Sequence, residues 1–253
     1  VTPISAVIIT FNEQHNIGRC LQSLQEIADE VVVVDSFSSD NTEAICRQFS
    51  NVKFIQREWQ GYAPTKNWAN EQAVHPYILS IDADEAPDEN LRKTILALKE
   101  TSLSGAYALN RITNYCGHWV KHCGWYPDKK VRLFKKRKAL WEGDFVHETL
   151  KVDVNEKITP LKGHLLHYSY HNLQDHRSRI EKYATLHAQK MHAEGKSVFP
   201  GKALFSAIWK FKQIYFFKLG FLDGKAGFNI ARFSAKAVYL KYQKLNQLNR
   251  KFK

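Results

Sequence analysis

The stretch YILSIDADEAPDEN, Tyr77 to Asn90, runs from apolar residues straight into Asp82, Asp84 and Glu85. Tyr77 to Ile81 reads as a buried strand, and at its end mutual repulsion and desolvation both oppose keeping carboxylates out of water. Something positive has to sit beside them. Upstream, strand and helix alternate. Ile4 to Thr10 (ISAVIIT), Glu30 to Asp35 (EVVVVD) and Val52 to Gln56 read as strands, and Gln14 to Gln25, Thr42 to Phe49 and Pro64 to about Ala73 as the helices between them. Continuous apolar strands separated by helices predict a parallel sheet covered on both faces, a doubly wound α/β domain. Ligands of such sheets lie off the carboxyl ends of the strands. That rule gathers Thr10-Phe11-Asn12-Glu13, Asp35-Ser36 and Asp82-Ala83-Asp84-Glu85 along one edge.

Downstream, Asp88 is placed to cap a helix over Glu89 to Glu100, and Ala106 to Arg111, Val131 to Phe134 and Gly163 to Tyr168 predict antiparallel additions to the sheet. Helices return at Leu173 to Ala193, Lys202 to Leu219 and Lys225 to Leu248. His164, His167, His171 and His176 fall at mixed spacings and read as core or surface histidines. Four cysteines, with no secretory pattern ahead of Ile4, set the expectation of a reducing compartment, the cytoplasm.

Charge is unevenly placed. Residues 1–160 hold 19 Lys and Arg against 21 Asp and Glu, whereas residues 161–253 hold 18 against 4. A basic C-terminal region predicts an anionic partner, nucleic acid or membrane. No helix-turn-helix, zinc-finger or RNP pattern supports nucleic acid. On a helix, Lys202, Ser206, Lys210 and Gln213 form a polar stripe, while Leu204, Phe205, Ile208, Trp209, Phe211, Tyr215 and Phe216 spread over a wide apolar face. Lysines interrupt it too often for a membrane span. The expectation is a helix lying in an anionic headgroup plane, or packed on the domain with its lysines in water.

Asp82-x-Asp84, on the loop after a buried strand, offers two hard oxygen ligands to a divalent cation, Mg2+ or Mn2+, with positions left for a substrate's phosphates. The segments SAVIITFNEQHNIGRCLQSL, EVVVVDSFSSDNTEAIC, GYAPTKNWA and YILSIDADE, in this order, resemble the nucleotide-sugar domain of inverting glycosyltransferases of family 2, the GT-A fold. GWYPDKKVRLFKK, WEGDFVHE and FKLGFLDGKAGF are similar to the WaaE-type subgroup of lipopolysaccharide core glucosyltransferases, so the resemblance covers nearly the whole chain.

The resemblance implies a GT-A catalytic domain at 1–170, with a nucleotide-sugar half at about 1–100 and an acceptor half at about 101–170, followed by a basic helical region at 171–253. It implies a UDP-sugar donor, glucose foremost, and a lipid-linked saccharide acceptor met at the inner face of a bacterial membrane. Thr10, Phe11, Asn12 and Glu13 would line the nucleoside pocket, Asp35 would accept hydrogen bonds from base or ribose, and Lys66 and Asn67 would lie near the diphosphate beside Asp82, Ala83 and Asp84. Two departures stand out: Lys66 where the family often has Arg, and Asp35-Ser36-Phe37-Ser38 where many relatives read Asp-Asp-Gly-Ser.

An inverting transfer also needs a carboxylate base on the far side of the sugar from the phosphates. Within WEGDFVHETL, Glu148 is the first choice and Asp144 the second, with His147 available to a metal or phosphate. Cys116, His118, His122 and Cys123 match no common structural zinc spacing. Their segment, NYCGHWVKHCGWYP, reads as an aromatic loop over the active site, with Trp125 among the faces offered to a sugar. The competing readings are a non-catalytic sugar-nucleotide or membrane-binding scaffold, and a nucleotidyltransferase. The latter lacks its Gly-rich, basic loop after the first strand.

Overall fold

The computed structural model describes residues 1–143 and 148–251, and these divide into two compact units: 1–111 with 128–168, and 112–127 with 169–251. In the first unit β1 (Ile4–Thr10), β2 (Glu30–Asp35), β3 (Val52–Gln56) and β4 (Tyr77–Ser80) pair in parallel in the order β3-β2-β1-β4. The pattern of β2 explains the layers. Val31 and Val33 pack with Ile17, Leu21 and Leu24 of α1 (Ile17–Leu24) and with Cys46 of α2 (Thr42–Cys46), while Val32 and Val34 pack with Ala69 and Ala73 at the end of α3 (Tyr62–Gln72). With helices on both faces, a strand of period two must be apolar at every position.

The sheet then turns antiparallel. β8 (Asp128–Lys135) pairs with β4 and with β6 (Ala106–Tyr115), and β11 (Ile158–Tyr170) follows, carrying the three-residue β5 (Glu85–Pro87) at the far edge. Register sets the chemistry here, because β5 places Glu85 opposite His167 and Pro87 opposite Leu165. Asp88 caps α4 (Glu89–Glu100) by accepting from the Leu91 N–H at 2.7 Å. Gly163 lets β11 pass close to that helix start: its φ is 96°, and a Cβ there would fall 2.2 Å from the Leu91 nitrogen. β9 (Ala139–Glu142) and β10 (Thr149–Val152) form a separate antiparallel pair.

In the second unit, β7 (His118–Val120) pairs with the end of β6. α5 (Leu173–Ala193) begins in a reciprocal Asn172–Asp175 capping box, and α6 (Lys202–Lys212) and α7 (Gly224–Lys251) complete the helices. The helix expected over Lys202 to Leu219 is different: α6 passes at Gln213 into a π-helical turn, Gln213–Phe217, and ends at left-handed Leu219 before a 3-10 turn, Gly220–Asp223. The wider turn sends apolar residues two ways. Ile214 is buried with half-buried Phe211 and Tyr215 against it, whereas Phe216 and Phe217 face outward. α7 packs backbone to backbone on this corner, since a Cβ on Gly227 would meet the Gly220 carbonyl at 1.7 Å. No described helix is long and apolar enough to cross a membrane.

An aromatic cluster centres on buried His176, whose Nδ1 lies 2.8 Å from the Tyr115 hydroxyl and whose ring stands against Tyr170 and Phe233. Burial, with Arg179 adding to it, pushes His176 down to about 4. The imidazole is neutral in the fold, so its contribution is complete above the unfolded value near 6.5 and declines as pH falls toward 4. The loss is about 3 kcal/mol. Urea unfolding followed between pH 7 and 4 should show that decline, and His176→Phe should flatten it while lowering stability at pH 7 by roughly 1–2 kcal/mol, because the Tyr115 hydroxyl loses its partner.

Candidate active site

The loops after β1 and β2 are tied together. Asn12 N–H donates to Ser38 Oγ at 2.7 Å, Asn12 Oδ1 accepts from the Ser39 N–H at 2.8 Å, and Glu13 N–H donates to Thr42 Oγ1 at 2.9 Å. Asp35 is fully buried and accepts from both the backbone N–H and the hydroxyl of Ser38, so its carboxylate shapes the loop. Phe37 takes the left-handed conformation, φ 59°, that a glycine adopts freely. An aromatic residue held there stores strain. Phe37 is 54% exposed and Phe11 58%, two apolar side chains at the carboxyl edge of the sheet. Thr10 Oγ1 is buried there without a hydrogen-bond partner among the described residues.

At the acidic loop the positive charge that the sequence demands comes from side chains. Arg132, on β8, donates to Asp82 Oδ2 at 2.6 Å and to Glu85 Oε1 at 3.1 Å; Arg111, on β6, reaches Glu85 Oε1 at 3.1 Å and Asp128 at 2.7 Å. The Glu85 side chain has no solvent exposure. Lys66, nearly buried on α3, reaches Asp82 Oδ1 at 2.9 Å and Glu148 Oε1 at 3.3 Å. Burial alone would raise the Asp82 carboxyl, but Arg132 and Lys66 hold it well below the usual carboxylate range. Burial pushes the Cys20 thiol well up, and the charges of Glu85, Asp84 and Asp82 add to it. Ala83 is buried within the loop.

Trp141 of β9 organises the lysine. Its ring lies under Lys66 Nζ, 4.4 Å from the centroid, and its backbone is clamped by Asn67, whose amide donates to the Trp141 carbonyl and accepts from the Trp141 N–H, both at 2.8 Å. Asn67 thus holds Trp141, and Trp141 holds Lys66. Arg132 Nε and Trp141 Nε1 are buried without hydrogen-bond partners among the described residues, so the site keeps two donors in hand. Glu148 directly precedes β10. Asp144 and His147 lie outside the described residues.

Among the described residues no group of three or more His, Cys, Asp or Glu is arranged to hold a metal ion. Both oxygens of Asp82 are engaged by cations, whereas Asp84 Oδ2 lies 3.3 Å from His167 Nε2, a hard oxygen and an imidazole nitrogen facing each other. A divalent cation here would start from the Asp84 carboxylate, the hard oxygen donor that Mg2+ or Mn2+ takes, with Asp82 joining only by releasing Lys66 or Arg132. The pairing of β11 with β5 carries His167 to the acidic loop.

The second unit holds the other singled-out residues. His118 Nε2 and His122 Nδ1 both face Asp223 Oδ1, at 3.3 and 3.2 Å, and the N–H groups of Lys121 and His122 donate to the same carboxylate. Beside them an open cavity of about 480 Å³ is lined by Tyr115, Cys116, His118, Asp223 and Lys225. Trp125 stacks on Tyr170 and packs edge-on to Tyr115.

The model of a known family, "Glycosyl transferase family 2", matches residues 5–156, more than half of the chain. The chain belongs to glycosyl transferase family 2. Among its relatives is the lipopolysaccharide core biosynthesis glycosyltransferase LpsC of Rhizobium meliloti, 30% identical over 97% of this chain and 92% of LpsC. Two solved structures share the fold: S. aureus TarS 1–349 in complex with UDP-GlcNAc (TM-score 0.51, 16% identity, 100% of this chain and 93% of that one), and the mannosyltransferase PcManGT from Pyrobaculum calidifontis in complex with GDP-Man and Mn2+ (TM-score 0.50, 17% identity, 99% and 74%).

In this glycosyltransferase the residues that sequence reasoning missed are Arg132, Arg111, His167 and Trp141. A signal for the first was available: an arginine inside the apolar strand VRLF has to find an acid if that strand is buried. Arg132→Met leaves Asp82 and Glu85 short of their shared cation and should cost about 3–5 kcal/mol in urea unfolding, with Arg132→Lys milder. An unchanged midpoint for Arg132→Met would show that solvent or Arg111 already balances the acids.

Proposed function

We propose that this family 2 glycosyltransferase moves a hexose, glucose foremost, with inversion from a UDP-sugar onto a lipopolysaccharide core or related lipid-linked saccharide. It would work at the inner face of a bacterial membrane and depend on a divalent cation. One observation carries the reading: a single buried lysine joins Asp82 of the acidic loop to Glu148 of the β9–β10 pair. The acidic loop suited to a diphosphate and the carboxylate suited to an acceptor hydroxyl are thus tied by one side chain, and a bound donor would draw Lys66 to its phosphates and release Glu148 to face the sugar from the other side. The relation to LpsC supports the acceptor class.

In this reading residues 1–100 hold the nucleotide sugar and residues 101–170 the acceptor. Phe11, with Thr10, Asn12 and Glu13, lines the nucleoside pocket, and Asp35 serves it by fixing the Ser38 loop. Lys66, steadied by Trp141 and Asn67, neutralises charge that develops on the leaving phosphate. A cation held by Asp84 would supply further stabilisation of that charge when bound. Glu148 takes the proton of the attacking hydroxyl, and displacement at the anomeric carbon inverts its configuration. Asp144 is the second candidate for that proton, and Trp125 and His147 are candidates for acceptor contact.

The test is turnover with Mn2+, a panel of UDP- and GDP-sugars, and lipopolysaccharide truncated in its core. Release of UDP coupled to a product of inverted anomeric configuration is expected. Glu148→Gln should lower kcat by about 100-fold or more while nucleotide affinity stays within roughly twofold. Full turnover by Glu148→Gln would move the base to Asp144. Nucleotide binding without transfer from any donor would favour the non-catalytic scaffold.

A further inference from the structure

The corner formed by α6, the π-helical turn and the 3-10 turn exposes more large apolar side chains than folding of the second unit requires. Phe205 is 71% exposed, Phe217 69% and Trp209 59%, and Leu204, Ile208, Phe216, Leu219, Phe221 and Leu222 are exposed with them. Several of their rings touch. Trp209 and Phe217 have ring centroids 5.7 Å apart, and Tyr215 links Phe216 to Phe221 at 5.2 and 6.3 Å. The same segment also serves the core, since Ile214 is buried and half-buried Phe211 and Tyr215 pack against it. The outward set is thus surplus to the core, and monomeric proteins rarely leave such a patch without a partner.

Its charges say which partner. Residues 199–228 contain five lysines, Lys202, Lys210, Lys212, Lys218 and Lys225, and one acid, Asp223. Asp223 is buried, with both carboxylate oxygens occupied by the loop of His118 and His122. No acid of the corner faces outward, and Lys212, Lys218 and Lys225 are exposed within it. Mutual repulsion of these amines is felt within the unit, where burial lowers the Lys210 ammonium and Lys218 and Lys241 lower it further. A two-fold pairing of identical copies would press lysines on lysines. Nucleic acid would find cations and rings but give Leu204, Ile208, Leu219 and Leu222 nothing to displace water with.

We propose that this corner, led by Trp209, Phe216, Phe217, Leu219 and Leu222, inserts into the headgroup–acyl boundary of an anionic bilayer, with Lys212, Lys218 and Lys225 on the headgroups. Aromatic and aliphatic tips together with lysine are the composition that such interfaces select. The surface rests on the proposed function only for its purpose, bringing the enzyme to a lipid-linked acceptor; its geometry stands independently.

Flotation of the whole protein with vesicles of phosphatidylcholine alone, and with roughly one-third phosphatidylglycerol, tests it. The protein should float with the anionic vesicles at least tenfold more strongly than with the neutral ones, and salt should weaken this. Trp209→Ser with Phe217→Ser, and separately Lys212→Glu with Lys225→Glu, should each reduce it at least tenfold while UDP binding is unchanged. Wild-type protein that stays unbound to both vesicles, or a serine variant that floats normally, would overturn the proposal. So would a dimer, or a complex with single-stranded nucleic acid, that the serine variant abolishes. Loss of UDP binding by the wild type would instead count against the glycosyltransferase site and leave this surface standing.

Discussion

Compensation of buried negative charge is the constraint on which the rest of the first unit depends. Glu85 is removed from water altogether and Asp82 is held low, a state that is tolerable only while Arg132, Arg111 and Lys66 remain in place. Each cation comes from a different element, β8, β6 and α3, so the acids act as the fastener among strands that are distant in sequence. A loop carrying three carboxylates can then be rigid at the carboxyl edge of the sheet, where a charged substrate needs fixed groups rather than solvated ones.

The parallel half of this arrangement was legible in the sequence because its signal is redundant. EVVVVD can only be a strand buried on both faces, and helical spacing recurs between such runs. What did not show was pairing. β5 has three residues, two of them Glu and Pro, and becomes a strand only through β11; β9 and β10 are four residues each and define each other. His167 and Arg132 reach the acids through register, which spacing along one strand does not encode. The required positive charge was foreseeable, and sequence reasoning assigned it to a metal. In the fold three side chains, Arg132, Arg111 and Lys66, lie against the acids.

At the C-terminal end the sequence left two readings for one amphipathic helix, and the fold buries one part of its apolar face and exposes the other. The π-helical turn is the physical device, since one wider turn shifts successive apolar residues around the axis and lets Ile214 and Tyr215 serve the core while Phe216 and Phe217 face out. Left-handed Leu219 and the Gly220–Gly227 approach then stop the helix, a feature invisible to a periodicity argument that expects one uninterrupted element.

The central claim is that the Asp82–Glu85 loop with Lys66 is the seat of a nucleoside diphosphate. Calorimetric titration of UDP into the protein, with and without Mn2+ and with GDP as comparison, tests it most directly. The account predicts UDP-selective binding that strengthens with metal and loses its metal dependence in Asp84→Ala. Absence of binding by either nucleotide in the presence of metal would contradict it, leaving the buried acids and their three cations as a purely structural clamp.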